Sequence, residues 1–172
     1  MSDTVTAEPL SGIPRDIEDQ ARAILERACK QDLSIVTAES CTGGLLASLL
    51  TDIEGASHAF ERGFVVYTEK AKSELLDIDA GLIDRCTAVS REVAEAMAKG
   101  ALVNSDGTIA VAITGYAGPG APGDEPGLVH FGCARRDGPT WHREEHFGDI
   151  GRGPVREKAL RVAIEMLDEA VG

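Results

Sequence analysis

The sequence predicts an α/β domain on a mixed, mainly parallel sheet of about five strands. Three observations carry that expectation. Short Val- and Ile-rich runs alternate with longer stretches whose apolar residues recur at helical spacing. The last two strand-like runs are joined by Asp137-Gly138, a hairpin signal that brings an antiparallel member into the sheet. No repeat divides the chain, and 172 residues are enough to bury one hydrophobic core. We therefore expect a disordered tail over 1–12 and a single domain over 13–172.

Taken in order, Pro14 opens a helix whose Ile17, Ala21, Ile24, Leu25 and Ala28 fall on one stripe. Residues 33–37 read as a short buried strand. Leu45, Leu46, Leu49 and Leu50 mark a helix that ends near Asp52. The second strand is 63–68, rich in Val and aromatic residues, and 69–76 is a short helix. Ser90 is the expected N-cap of a helix over 91–102, with Val93, Met97 and Ala101 inward. Residues 108–114 form the third strand, and the Gly- and Pro-rich stretch 115–127 is a long loop. The hairpin strands are 128–135 and 140–147. An amphipathic helix over 152–171 closes the chain, with Val155, Leu160, Ala163, Ile164 and Leu167 inward.

Composition narrows the function. The net charge is −12, from 17 basic and 29 acidic residues, with no cluster of Lys and Arg. A direct nucleic-acid ligand is not expected, although helix N-termini and one or two Arg can hold a small anion in an acidic protein. The apolar runs are too short to span a bilayer, so no membrane partner is expected. The polar, acidic N-terminus lacks the basic and apolar regions of a signal peptide, which points to a cytoplasmic location. Cys29, Cys41, Cys86 and Cys133 are scattered and read as reduced thiols. His58, His130, His142 and His146 have no zinc-like spacing; His142 and His146 share a strand face, read as an exposed face and not as half a metal site. No metal and no cofactor are expected.

Right-handed crossovers between parallel strands place their C-terminal ends on one rim, where ligands bind in such sheets. Three loops follow those ends. The first carries Ser40 and Thr42 at the start of a helix, with Gly43 and Gly44 opening the backbone to close approach. Such a turn fits a nucleophile with an oxyanion hole or a phosphate cradle, and equally a plain helix cap. The second loop carries Tyr67, Lys70 and Lys72. A serine needs a base. With no histidine on the rim except His58, a lysine made less basic by burial is the available one, and Lys70 reads as a solvated surface residue. The third loop, from Thr114 and Gly115 through Gly118, precedes a strand and so is no dinucleotide fingerprint.

These motifs also resemble a known family. Ala38-Glu39-Ser40-Cys41-Thr42-Gly43-Gly44 comes first, then Phe60-Glu61-Arg62-Gly63 leading to Tyr67 and Ala71-Lys72. Val89-Ser90 before Glu92-Val93 follows, then Thr114-Gly115 with Ala117-Gly118-Pro119. In this order they resemble the C-terminal domain family of the competence/damage-inducible protein CinA, from about Ala21 to the last helix. The resemblance implies a three-layer α/β/α fold. It also implies a metal-free amidohydrolase that converts nicotinamide mononucleotide to nicotinate mononucleotide and ammonia, as part of pyridine nucleotide salvage. It makes Ser40 the nucleophile, Lys72 the base and Thr114 an assisting group. Glu39, Cys41, Thr42, Gly43, Gly44, Tyr67, Gly115 and Gly118 are the expected substrate contacts, with Arg156 and the loop 118–120 offered for the phosphate. The family also suggests a homo-oligomer. The chain departs from the family pattern at Glu69-Lys70, at Tyr116, at Pro126-Gly127-Leu128-Val129 and in the spacing between Gly148-Asp149 and Arg152. Those departures keep two alternatives in view: a catalytically silent nucleotide-binding or interaction domain, and an amidase for another carboxamide.

Overall fold

The computed structural model describes residues 12–55 and 57–172. The expected tail therefore lies outside the described residues, apart from Gly12. The chain runs α1 (Arg15–Lys30), β1 (Ile35–Glu39), α2 (Leu45–Asp52), a 3-10 turn (Ser57–Ala59), β2 (Phe60–Val65), α3 (Glu69–Leu76) and α4 (Ala80–Cys86). It continues with α5 (Arg91–Val103), β3 (Ile109–Gly115), β4 (Leu128–Arg135), β5 (Thr140–His146) and α6 (Arg152–Val171). The strands lie in the order β2-β1-β3-β4-β5. β1 pairs in parallel with β2 and β3, and the β4–β5 hairpin continues the sheet antiparallel to β3. Only β4 runs against the other four, giving the mixed sheet expected.

Alternation along the strands makes the layers. In β3, Ile109, Val111 and Ile113 face a core shared with α1, α2 and α6. Ala110 and Ala112 face the other side, where α3, α4 and α5 pack. That second face is built from small residues, so α5 comes very close. A Cβ on Gly132 of β4 would stand 2.2 Å from the Ala94 carbonyl of α5, and one on Gly100 would stand 2.1 Å from the Leu76 carbonyl. Both contacts are far inside van der Waals range, so only glycine fits.

Several boundaries differ from the sequence expectation. β1 starts and ends two residues later than 33–37, and β2 ends at Val65, leaving Val66, Tyr67 and Thr68 as a connection into α3. Val66 donates its N–H to the Glu39 carbonyl, and the Thr68 hydroxyl caps α3 by accepting from Ala71 N at 3.0 Å. α4 was not expected: it has seven residues, contains Gly81 and fully buries only Ile83, too little to leave a periodic stripe. Its start is local chemistry, with Asp79 accepting from Gly81 N at 3.1 Å. No helix among the described residues is long and apolar enough to cross a membrane.

Candidate active site

Three parallel strands end together on one rim, at Glu39, Val65 and Gly115. Above them lies a cleft of about 350 Å³, toward the lower end of the ~300–1,000 Å³ usual for small-molecule sites. Its floor holds Ser40, Cys41, Lys72 and Thr114, and its walls come from Tyr67 to Glu69, Ala88 and Val89, Gly115 to Gly120, and Arg152. His58 sits at the N-terminal end of β2, away from this rim.

The Ser40 turn is held in place by its neighbours. Ser40 N–H donates to the Ile113 carbonyl at 2.9 Å, continuing the β1–β3 ladder by one residue. Gly43 and Gly44 both adopt positive φ, +63° and +94°, and Gly44 is the residue before α2. That conformation, which L side chains rarely adopt, swings the chain from strand to helix within four residues. Ser40 is therefore not the helix cap. The capping is done by Glu39, fully buried behind the turn, whose carboxylate accepts from Gly44 N at 3.1 Å, Leu46 N at 3.1 Å and Ala47 N at 2.8 Å. A ligand phosphate cannot use those amides, so Glu39, Gly43 and Gly44 shape the turn without lining the cleft.

Lys72 comes up from α3 to meet the serine. Its side chain is 1% exposed. The Nζ lies 3.0 Å from Ser40 Oγ and 3.0 Å from the Val66 carbonyl, and as a donor it serves both. Burial lowers its pKa from the usual lysine range, opposed by weaker pulls from Cys41 and Glu69. Lys70, two residues earlier, points to solvent and pairs with Glu74 at 3.4 Å. The cleft thus holds a hydroxyl and an amine poised for proton transfer, with one lysine in place and the other excluded.

Cys41 is the other nucleophile on the floor. Burial pushes its thiol up to about 11, so it stays protonated at neutral pH. Thr114 is buried, and its hydroxyl donates to the Ala88 carbonyl at 2.8 Å. That bond reaches a strained segment, because Thr87 holds φ at +69°, an unusual place for a β-branched residue. Thr42 is buried beside the turn, and its Oγ1 has no hydrogen-bond partner among the described residues. Tyr67, 66% exposed, stands at the mouth.

Arg156, offered from the sequence for the phosphate, is not in the wall of the cleft. Arg156 reaches behind the turn, donating to the Thr42 carbonyl at 2.6 Å, and does not line the cleft. Arg152, one helical turn earlier, does, beside Gly118. The two are i and i+4 on one face, so spacing alone could not separate them. The segment Ala88-Val89 was also missed as a wall, although Ser90 after it was legible as the cap of α5; it accepts from Val93 N at 3.3 Å. Tyr116 joins the wall too, its phenol pushed up by burial and by a hydrogen bond to Asp124.

The CinA C-terminal domain model matches residues 17–171. The chain belongs to the CinA C-terminal domain family. A CinA-like protein of Mycolicibacterium vanbaalenii is 41% identical over 98% of this chain, and one of Chlorobium phaeovibrioides is 51% identical over 86%. The chain spans only 42% and 36% of those relatives' lengths. Among solved structures, competence/damage inducible protein CihA from Agrobacterium tumefaciens superposes with a TM-score of 0.88 at 45% identity, covering 94% of this chain and 99% of that one. A CinA superfamily protein from Escherichia coli gives 0.84 at 34% identity, with 95% of each chain covered. The three-layer CinA fold is thus shared along nearly the whole described chain.

Proposed function

We propose that this CinA domain hydrolyses the carboxamide of nicotinamide mononucleotide, releasing ammonia and nicotinate mononucleotide, with Ser40 and Lys72 as the catalytic pair. The observation that carries the reading is the 3.0 Å contact between a buried lysine amine and a serine hydroxyl on the cleft floor. In its neutral form Lys72 accepts the Ser40 proton as Oγ attacks the carboxamide carbon. The N–H groups of Gly44, Leu46 and Ala47 are engaged by Glu39, so the oxyanion falls to that of Cys41, which lines the cleft. The protonated lysine returns its proton to the departing nitrogen, which leaves as ammonia. Water, deprotonated by the same amine, then cleaves the acyl-serine ester and restores the hydroxyl. Lys72 thus relays each proton, first from Ser40 to the departing ammonia and then from water back to the Ser40 oxygen.

Substrate identity rests on the family resemblance, and three features of the cleft support it. The volume suits a mononucleotide, Arg152 and the Gly118 to Gly120 loop offer a cation beside open backbone for the phosphate, and Tyr67 offers a ring at the mouth. The pyridinium charge offsets much of the phosphate's, so a chain of net charge −12 does not strongly repel the zwitterionic substrate. The same reading carries a homo-oligomer, seen in light scattering as a mass that is a multiple of 18.1 kDa.

Ammonia release from nicotinamide mononucleotide, set beside free nicotinamide and other amides, tests the reaction. We expect turnover of the nucleotide, with losses of roughly a thousandfold or more in Ser40→Ala and Lys72→Ala. Binding without release by the unaltered chain points to the silent nucleotide-binding domain, and faster release from another carboxamide to the other amidase. Either outcome overturns the proposal.

A further inference from the structure

Outside the cleft, two imidazoles and a carboxylate meet on the hairpin face under α5. His130 of β4 and His142 of β5 are brought together across the pair of strands, His130 Nδ1 lying 3.0 Å from His142 Nε2. Glu144 stands opposite His130 in the ladder, with its Oε2 3.5 Å from the same Nδ1. One atom from each of the three residues falls within 4.8 Å of the others. Gly132, the residue opposite His142, carries no side chain, and the Ala94 backbone of α5 fills the space beside it. The cluster escaped sequence reasoning because His142 finds its partner across the hairpin at His130, whereas spacing pointed along the strand to His146.

We propose that His130, His142 and Glu144 bind a divalent transition-metal ion of the zinc type. An ion bound at ~2.0–2.1 Å by two nitrogens 3.0 Å apart sees them at about 90–95°, and opening that gap to about 3.3 Å makes the angle tetrahedral. The third donor already stands near that separation from His130. Two imidazoles and one carboxylate favour zinc, nickel or copper over magnesium or calcium, which prefer oxygen donors alone.

The surroundings are those of a built ligand set. Glu144 Oε1 accepts from His146 Nε2 at 2.8 Å, and His146 is held in turn by Glu125 at 2.7 Å. That chain orients the carboxylate and leaves Oε2 for the ion, as outer-shell partners do. Glu92 of α5 adds negative potential around both rings. Arg91, the strongest opposing charge at His142, is paired with Glu95 at 2.9 Å, which offsets the two charges against each other. The histidine contact itself needs one ring proton on the line between the nitrogens. An ion takes the place of that proton, which moves to the ring's other nitrogen, so two neutral imidazoles become two ligands without a net change in protonation.

Calorimetric titration of the tag-free full chain with zinc chloride, with magnesium chloride as comparison, tests this. We expect one zinc per chain, no magnesium binding, and a histidine tautomer change in nitrogen-resolved NMR confined to His130 and His142. His142→Gln and Glu144→Gln should weaken zinc about tenfold or more, and His146→Gln should do so through the outer shell. His58→Gln, at the far end of β2, should bind as the parent does. Because His130 is buried, the more exposed His142 and Glu144 carry the test if His130→Gln does not fold. Absence of zinc binding at micromolar concentrations, or binding undiminished in both His142→Gln and Glu144→Gln, overturns the proposal.

Discussion

At Lys72 burial works on two properties at once, making the amine a usable base and weakening the fold that encloses it. In the proposed mechanism the free amine is the active form, so the rate should climb with pH and level off below the ordinary lysine value of 10.5. Stability has the same sign. A lysine whose folded pKa is lowered binds fewer protons folded than unfolded between that value and 10.5, so stability rises with pH across the window. Below the window both states are protonated and the penalty is present in full. Lys72→Met should abolish activity, and its melting temperature relative to the parent should fall as pH rises, because only the parent regains stability across the window. The Val66 carbonyl it leaves without a donor opposes the relief of the buried charge. Lys72→Arg, unable to lose its proton, should be inactive at every pH. Glu39 predicts the opposite balance. Glu39→Ala strands three amides at the head of α2 and should lower stability by about 3 kcal/mol or more, read from denaturant midpoints.

Among the elements, what the sequence showed depended on how each is held. α1, α2, α5 and α6 were legible because apolar stripes or a Ser or Pro at the start mark them, and the ends of α2, α3 and α6 fell where expected. β1 and β2 were displaced along the chain because apolar character continues past the hydrogen-bonded ladder, through Val66 in one case and back into Leu33 in the other. α4, with one fully buried side chain, left no stripe to read. The site followed the same logic. Ser40 and Lys72 were visible from their placement after strand ends, whereas the choice between Arg152 and Arg156 needed the direction in which α6 enters. The close seating of α5 was invisible too, since a glycine in a strand does not say what approaches it. Gly132→Ala should therefore destabilise by about 1–3 kcal/mol in chemical denaturation, the usual range for an overpacked core, because the Ala94 backbone has nowhere to retreat.

Across the whole molecule, the two helical layers divide the work. The face built from α1, α2 and α6 supplies most of the large apolar side chains, and Arg143 ties β5 to Glu165 and Glu169 of α6. The α3–α5 face, built from small residues, brings in Lys72, the Ala88-Val89 wall and the histidine cluster. Both proposed sites thus draw on the closely packed layer, on a sheet whose opposite side provides bulk. The central claim, that a neutral Lys72 activates Ser40 as a nucleophile, is tested most directly by rapid acid quench during turnover of nicotinamide mononucleotide, followed by peptide mass spectrometry. The account predicts a nicotinate-mononucleotide acyl group on Ser40, formed faster as pH rises and absent in Lys72→Met. Ammonia released at full rate by Ser40→Ala, with no acylated peptide from the unaltered chain, would contradict it.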